Sequence, residues 1–122
     1  MRALVIHGPH DLRLDEVAEG TPGPRQVAVR VRAGGICGSD LHYYHEGGFG
    51  TVRLREPMVL GHEVAGEVIG VGHEVTTIRP GDRVAVSPSL PCGACRYCLE
   101  GRPNHCLDMR FYGSAMRFPH VQ

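Results

Sequence analysis

Neither charge sign dominates this chain: thirteen basic residues stand against thirteen acidic ones in 122, and the formal net charge is +0 with histidine neutral. No long run of either sign occurs. A nucleic-acid or anionic-membrane partner calls for a basic patch, so no nucleic acid and no membrane is expected. Long apolar runs are missing as well. No segment approaches the ~20 apolar residues that span a bilayer. The start, "MRALVIHGPHDL", has an apolar run too short for a secretory leader. The cytoplasm is the default expectation. Internal repeats, low-complexity segments and a long amphipathic helix are also lacking. With 42% hydrophobic and 21% charged residues, the composition is that of an ordinary globular domain. The length suits one domain with a real core.

Turn residues and cysteines are what the chain has. Seventeen glycines and nine prolines suit many short strands joined by tight turns, as in a small barrel or sandwich. "RALVI" and "LRLDEV" read as strands separated by a turn at Gly8 and Pro9. "VAVRVRAGG" alternates valine with polar residues, which predicts a strand with one buried face. "EVAGEVIGVG" and "DRVAVS" are further β-rich runs, with a turn signal at "RPGD" between them. The stretch "ICGSDLHYYHEGG", residues 36–48, reads as a loop rich in groups that bind metals and move protons. The end, "FYGSAMRFPHVQ", has no closing element, so residues 1–122 read as an incomplete domain.

Cys92, Cys95, Cys98 and Cys106 stand as C-x2-C-x2-C-x7-C. Two-residue gaps let successive thiolates converge on one ion, and the longer gap brings back the fourth corner. Four thiolates make a closed tetrahedral zinc site with no position for substrate, the mark of a structural role. The lobe covers about residues 90–108. Two disulfides are the alternative, disfavoured at this spacing without a secretion signal. An iron–sulfur cluster is the stronger rival, but ferredoxins continue x3-C-P, and here Leu107 follows a gap of seven. His105 is expected to be a loop histidine, because four sulfurs fill the site.

Cys37 stands apart. The other ligand-rich place is "GHEVAG", where His62 and Glu63 adjoin, and cysteine, histidine and carboxylate leave one zinc position open. Neighbours on a regular strand point to opposite faces. If both His62 and Glu63 hold one ion, the backbone must turn, and Gly61 permits it; otherwise Glu63 sits behind the ligands and a third ligand lies elsewhere. On residue types alone, a lone cysteine and a distant histidine are more often core residues than a site.

Order and joint spacing add to this. "GHEVAGEVIGVGHEV" reads G-H-E-x2-G-x5-G-x2-V, and it occurs with "GGICGSDLH", "PGDRV" and the cysteine lobe across residues 35–106. In these motifs the chain resembles the zinc-containing medium-chain alcohol and polyol dehydrogenases. The resemblance implies a mostly β fold with short helices: a GroES-like β-barrel catalytic domain with a structural-zinc lobe, followed in the family by a Rossmann domain that this chain does not contain. It implies two zinc ions per chain, NAD or NADP in the full-length enzyme, and a small sugar acid or polyol as substrate. A homo-oligomer, dimer or tetramer, is implied for the full-length protein. Carried over residue by residue, Cys37 and His62 are catalytic-zinc ligands, with Glu63 a ligand directly or in alternation with water. Ser39 bonds the substrate hydroxyl and His42 passes its proton to solvent, while hydride goes to the nicotinamide. Asp40 orients His62, and Tyr43 lines the pocket or bonds the zinc water. Tyr44 and His45 are packing and surface residues, and Gly66 and Gly72 serve turns and close packing.

A dinucleotide fingerprint needs G-x-G-x-x-G between strand and helix. The nearest approach, "GVGHEV", ends in valine among β-rich segments, so these residues alone are expected to bind zinc without turnover. Arg110 or Arg117 is the candidate to pair with a sugar-acid carboxylate. Other readings are a threonine dehydrogenase of the same family, a zinc-ribbon nucleic-acid module, an iron–sulfur carrier, and a purely structural barrel. The ribbon reading lacks its basic footprint, since Arg96 and Arg102 face Glu100.

Overall fold

The computed structural model describes residues 1–120. In chain order the elements are β1 (Arg2–Gly8), β2 (Asp11–Glu16), β3 (Val27–Gly34), α1 (Gly38–Glu46), β4 (Gly48–Phe49), β5 (Val52–Arg53), β6 (Met58–Val59), β7 (Val64–Val71), β8 (Arg83–Val86), β9 (Ser89–Leu90), α2 (Arg96–Leu99), a 3-10 turn (Pro103–His105) and β10 (Arg110–Phe111). They form sheets ordered β2-β1-β6, β3-β7-β8, β4-β5 and β10-β9. Every pairing among the described residues is antiparallel. No helix among them is long and apolar enough to cross a membrane.

The punctuated strands form where the turn residues bound them. In the first hairpin Leu4 faces Leu14 and Ile6 faces Leu12. Its turn places His10 at φ 60, pinned by donation from His10 N–H to the Tyr44 carbonyl at 2.6 Å. The "RPGD" turn closes as Asp82 N–H donates to the Arg79 carbonyl, and the Asp82 carboxylate accepts from Arg79 N–H at 2.8 Å. Gly66 and Gly72 are close-packing positions: a Cβ on Gly66 would collide with the Arg30 carbonyl, and one on Gly72 with the carbonyls of Gly23 and Pro24.

Two expectations are corrected. The strand "VAVRVRAGG" forms as β3 but buries no face, and Val31 is 57% exposed. Alternation makes two different faces; burial also needs a layer over one of them. Consistent with this openness, the chain exposes 8258 Å², whereas a compact protein of this length exposes about 6,400 Å². The second correction concerns residues 36–48, which are not a loop. They contain the helix α1, begun by Cys37 in extended conformation and ended by Gly47 at φ 70. Asp40, in the third helical position, accepts from Cys37 N–H at 2.9 Å and so satisfies one orphan donor of the first turn. Only Asp40 and Tyr43 of the helix are buried, too narrow a face to show as helical periodicity.

The main core cluster joins Ile6 of β1, Tyr43 of α1, Met58 of β6 and Ala115 of the tail, with Tyr44, Val52, Leu54 and Leu60 packed around it. The tail is therefore docked. His120 is 7% exposed and fully partnered. Its Nδ1–H donates to the Arg117 carbonyl at 2.9 Å and its Nε2 accepts from Arg55 N–H at 3.2 Å, the pattern of a neutral imidazole. Its backbone N–H donates to Glu56 at 2.7 Å. Val121 and Gln122 lie outside the described residues.

Candidate metal centres

The cysteine lobe is a local site. The sulfurs of Cys92, Cys95, Cys98 and Cys106 lie within 4.8 Å of one another. All five cysteines of the chain are free. Backbone donors aim at the sulfurs: Cys92 Sγ accepts from Ala94 N–H at 3.5 Å and Cys95 N–H at 3.3 Å, and Cys106 Sγ accepts from Cys92 N–H at 3.2 Å and Asp108 N–H at 3.3 Å. Such donors stabilise thiolates. The N–H groups of Leu107 and Cys98 pull the Cys95 thiol down to about 6. Those of Ala94 and Cys95 lower that of Cys92. Desolvation, then the adjacent Cys95 sulfur at 3.6 Å, pushes Cys98 up to about 12. The first negative charge thus settles on the Cys95 side of the cluster, and the Cys98 thiol beside it resists ionisation. His105 stays outside the cluster, exposed and 5.9 Å from the Tyr97 ring.

The second centre is assembled from distant segments. Cys37 caps α1, while His62 and Glu63 precede β7, and β3 pairs with β7 to bring the two segments together, Gly34 opposite Val64. The backbone turns at Gly61, φ 108, a conformation that favours glycine. One ligand atom from each of Cys37, His62 and Glu63 then falls within 4.8 Å of the others. Adjacent residues can converge because His62 and Glu63 lie outside the regular strand.

Asp40 stands behind both Cys37 and His62. One carboxylate oxygen holds Cys37 N–H, and the other lies 3.6 Å from His62 Nδ1. The two side chains are 5% and 10% exposed, and Asp40 Oδ1 and His62 Nδ1 are buried without a hydrogen-bond partner. That orphaned pair fits a metal site: an imidazole ligating through Nε2 carries its proton on Nδ1, aimed at this carboxylate.

The other expected residues divide. Ser39 sits in the first turn of α1, and His42 lies one turn further on the same side, 54% exposed, with Nδ1 3.4 Å from Glu46. Tyr43 departs from expectation. It is 1% exposed, its hydroxyl accepts from Ala115 N–H at 2.8 Å and lies 3.2 Å from Ser114 Oγ, so it anchors the tail. A ring attached to the core helix this deeply has its polar tip satisfied there. Arg117 is committed too, pairing with Asp108 at 2.7 Å. Arg110 remains exposed on β10.

Three contributors escaped sequence reading. Phe111 lays its ring edge-on to His62 at 5.3 Å. Gly113, φ 63, packs on the Gly61 carbonyl, where a Cβ would collide. Gly35 sits against the Glu63 side chain. The one sequence signal was the glycine spacing itself, which does not say what each glycine touches.

The described residues thus join antiparallel sheets to a four-sulfur lobe and a separate Cys-His-Glu cluster. Residues 23–119 match the alcohol dehydrogenase GroES-like domain, and the chain belongs to that family. L-Idonate 5-dehydrogenase (NAD(P)(+)) of Escherichia coli strain K12 is 56% identical over 93 residues, covering 76% of this chain and 26% of its own. Sorbitol dehydrogenase of Macaca fascicularis is 48% identical over 102 residues, covering 84% and 29%. The crystal structure of the E. coli L-idonate 5-dehydrogenase superposes with a TM-score of 0.86 at 45% identity, over 99% of this chain and 34% of that one. The chain thus spans about a quarter to a third of the length of these relatives.

Proposed function

We propose that the intact enzyme oxidises a secondary alcohol of a sugar acid, L-idonate to 5-keto-D-gluconate, with zinc and NAD or NADP. The observation that carries this reading is the convergence of Cys37, His62 and Glu63 within 4.8 Å, backed by the orphaned Asp40–His62 pair. These three residues would hold the catalytic zinc, and Cys92, Cys95, Cys98 and Cys106 a second, structural one. Zinc in such an open site supplies Lewis acidity toward a hydroxyl oxygen.

The chain's own residues do the rest. Asp40 fixes the His62 tautomer and the backbone of Cys37. Ser39 accepts the substrate proton and hands it along α1 to His42, whose exposed ring returns it to solvent. A nicotinamide, when bound, would supply the hydride acceptor; these residues carry no G-x-G-x-x-G fingerprint to hold it, so on this reading they would not turn over substrate by themselves. Five free cysteines suit the reducing cytoplasm, and the full-length enzyme is a homo-oligomer, dimer or tetramer.

A sugar acid is favoured over a neutral polyol by the higher identity to the idonate enzyme, and Arg110, exposed and without an ion-pair partner among the described residues, is the cation for its carboxylate. The sorbitol dehydrogenases, matched over a longer stretch, support a polyol as second reading. Steady-state rates on L-idonate, sorbitol and L-threonine with each nicotinamide decide between them. L-Idonate should give the highest kcat/KM, and Arg110→Ala should lower it on idonate only. Preference for sorbitol would move the assignment to the polyol.

A further inference from the structure

Glycine 35 follows β3 and lies directly across the sheet from Glu63. Gly34 pairs with Val64, and Gly35 N–H donates to the Glu63 carbonyl at 2.7 Å, so the ladder continues one step beyond the strand. Residues opposed in this way ordinarily keep their Cβ atoms about 4.5–5.5 Å apart. Here a Cβ on Gly35 would stand 3.1 Å from Glu63 Cβ and 3.3 Å from its Cδ, and would overlap Oε2. The Glu63 side chain therefore lies in the space that any side chain at position 35 would fill. From that space its carboxylate reaches the cluster with Cys37 and His62. Gly34, its neighbour, faces no such contact, since a Cβ there meets only the Glu63 carbonyl at an ordinary 3.7 Å.

We propose that Gly35 is a positioning residue for the open metal site: its missing side chain is what lets Glu63 lie over β3 and serve as a direct ligand. This rests on the zinc reading above and deepens it. The Glu63 stem cannot retreat, because the cross-strand hydrogen bond holds its backbone. The severe overlap, with Oε2 and Cδ, is relieved by the carboxylate swinging out of the cluster, while the 3.1 Å contact with Glu63 Cβ asks only a few tenths of an ångström of the backbone.

The experiment measures zinc release to a chromogenic chelator from the intact, zinc-loaded enzyme in four forms: wild type, Gly35→Ala, Glu63→Ala and the double variant, with Gly34→Ala as control. Gly35→Ala should speed release from the weaker site about 10–100-fold, the usual effect of losing a ligand's support, and leave the lobe zinc in place. Added to Glu63→Ala, it should change release by less than about threefold, because most of what it collides with is gone. Wild-type release from Gly35→Ala, or effects that multiply in the double variant, would overturn the proposal. If Gly35→Ala alone does not fold, the double variant decides: folding restored by removing Glu63 supports it, and continued misfolding refutes it. A wild-type enzyme with no second, weaker zinc would instead refute the open-site reading itself.

Discussion

The cysteine lobe and the Cys37 centre gather ligands by different means. In the lobe, all four sulfurs and the backbone donors that cradle them come from residues 92–108. In the Cys37 centre, a helix cap, a turn before β7, a carboxylate inside α1 and a ring from the tail must all arrive together. The lobe carries its own scaffold; the open centre borrows the scaffold of the whole domain. A shape-holding site can be local. A chemical site that keeps a coordination position open needs its ligands fixed from outside, because the metal does not complete its own cage.

The sharpest way to break this comparison is to remove one ligand from each site in the intact enzyme. His62→Ala should abolish alcohol oxidation, a loss of about a thousandfold or more, since a Lewis acid contributes several kcal/mol to such steps. The lobe zinc should remain, and circular dichroism should not change. Cys98→Ser should do the reverse at the structural level. It should release the lobe zinc, open residues 90–108 to limited proteolysis, and leave the zinc affinity of the open centre close to wild type. Parallel loss of both metals in either variant would show that the two regions are one cooperative unit.

A smaller effect tests the borrowed scaffold. Tyr43→Phe leaves the core volume intact but strips Ala115 N–H of its acceptor in a buried place, costing about 1–3 kcal/mol. The thermal midpoint should fall, and zinc should leave the open centre more readily while the lobe is untouched. Equal destabilisation of both metals would argue against tail support specific to the open centre.

The smallest effect concerns protons. Metal uptake by the lobe displaces the thiol protons still bound. With the Cys95 thiol pulled down to about 6, its thiolate already exists at pH 7.5, whereas Cys98, pushed up to about 12, still carries its proton. Zinc binding to the apo lobe at pH 7.5 should therefore release fewer than four protons, read with a pH indicator in weak buffer. The sign follows for affinity. Acidification through about pH 6 reprotonates Cys95 and weakens the lobe's hold, and raising the pH restores it. Four protons at pH 7.5 would contradict the early thiolate.

The same contrast explains what could be read from the sequence. The lobe is legible because its geometry is a matter of spacing, and His105 lies outside the four-sulfur cluster. Cys37, His62 and Glu63 could be named as candidates, but spacing says nothing about whether residues 37 and 62 meet; the pairing of Gly34 with Val64 decides that. The helix α1 was missed because its buried face is two residues wide. The family resemblance implies that Tyr43 lines the pocket or bonds the zinc water, yet its hydroxyl is taken by Ser114 and Ala115, 71 and 72 residues away. Long-range partners of this kind leave no local pattern. β3 shows the opposite failure, a clear pattern without the layer that burial requires.

Asp40 also couples Cys37 and His62 in motion. Its carboxylate closes the first turn of α1 through Cys37 N–H and faces His62 with its other oxygen. Fraying of that one turn therefore loosens the thiol and the imidazole in the same event. The amide proton of Cys37 becomes a built-in gauge: its hydrogen exchange rate reports how often the centre falls apart, and filling the centre should slow it.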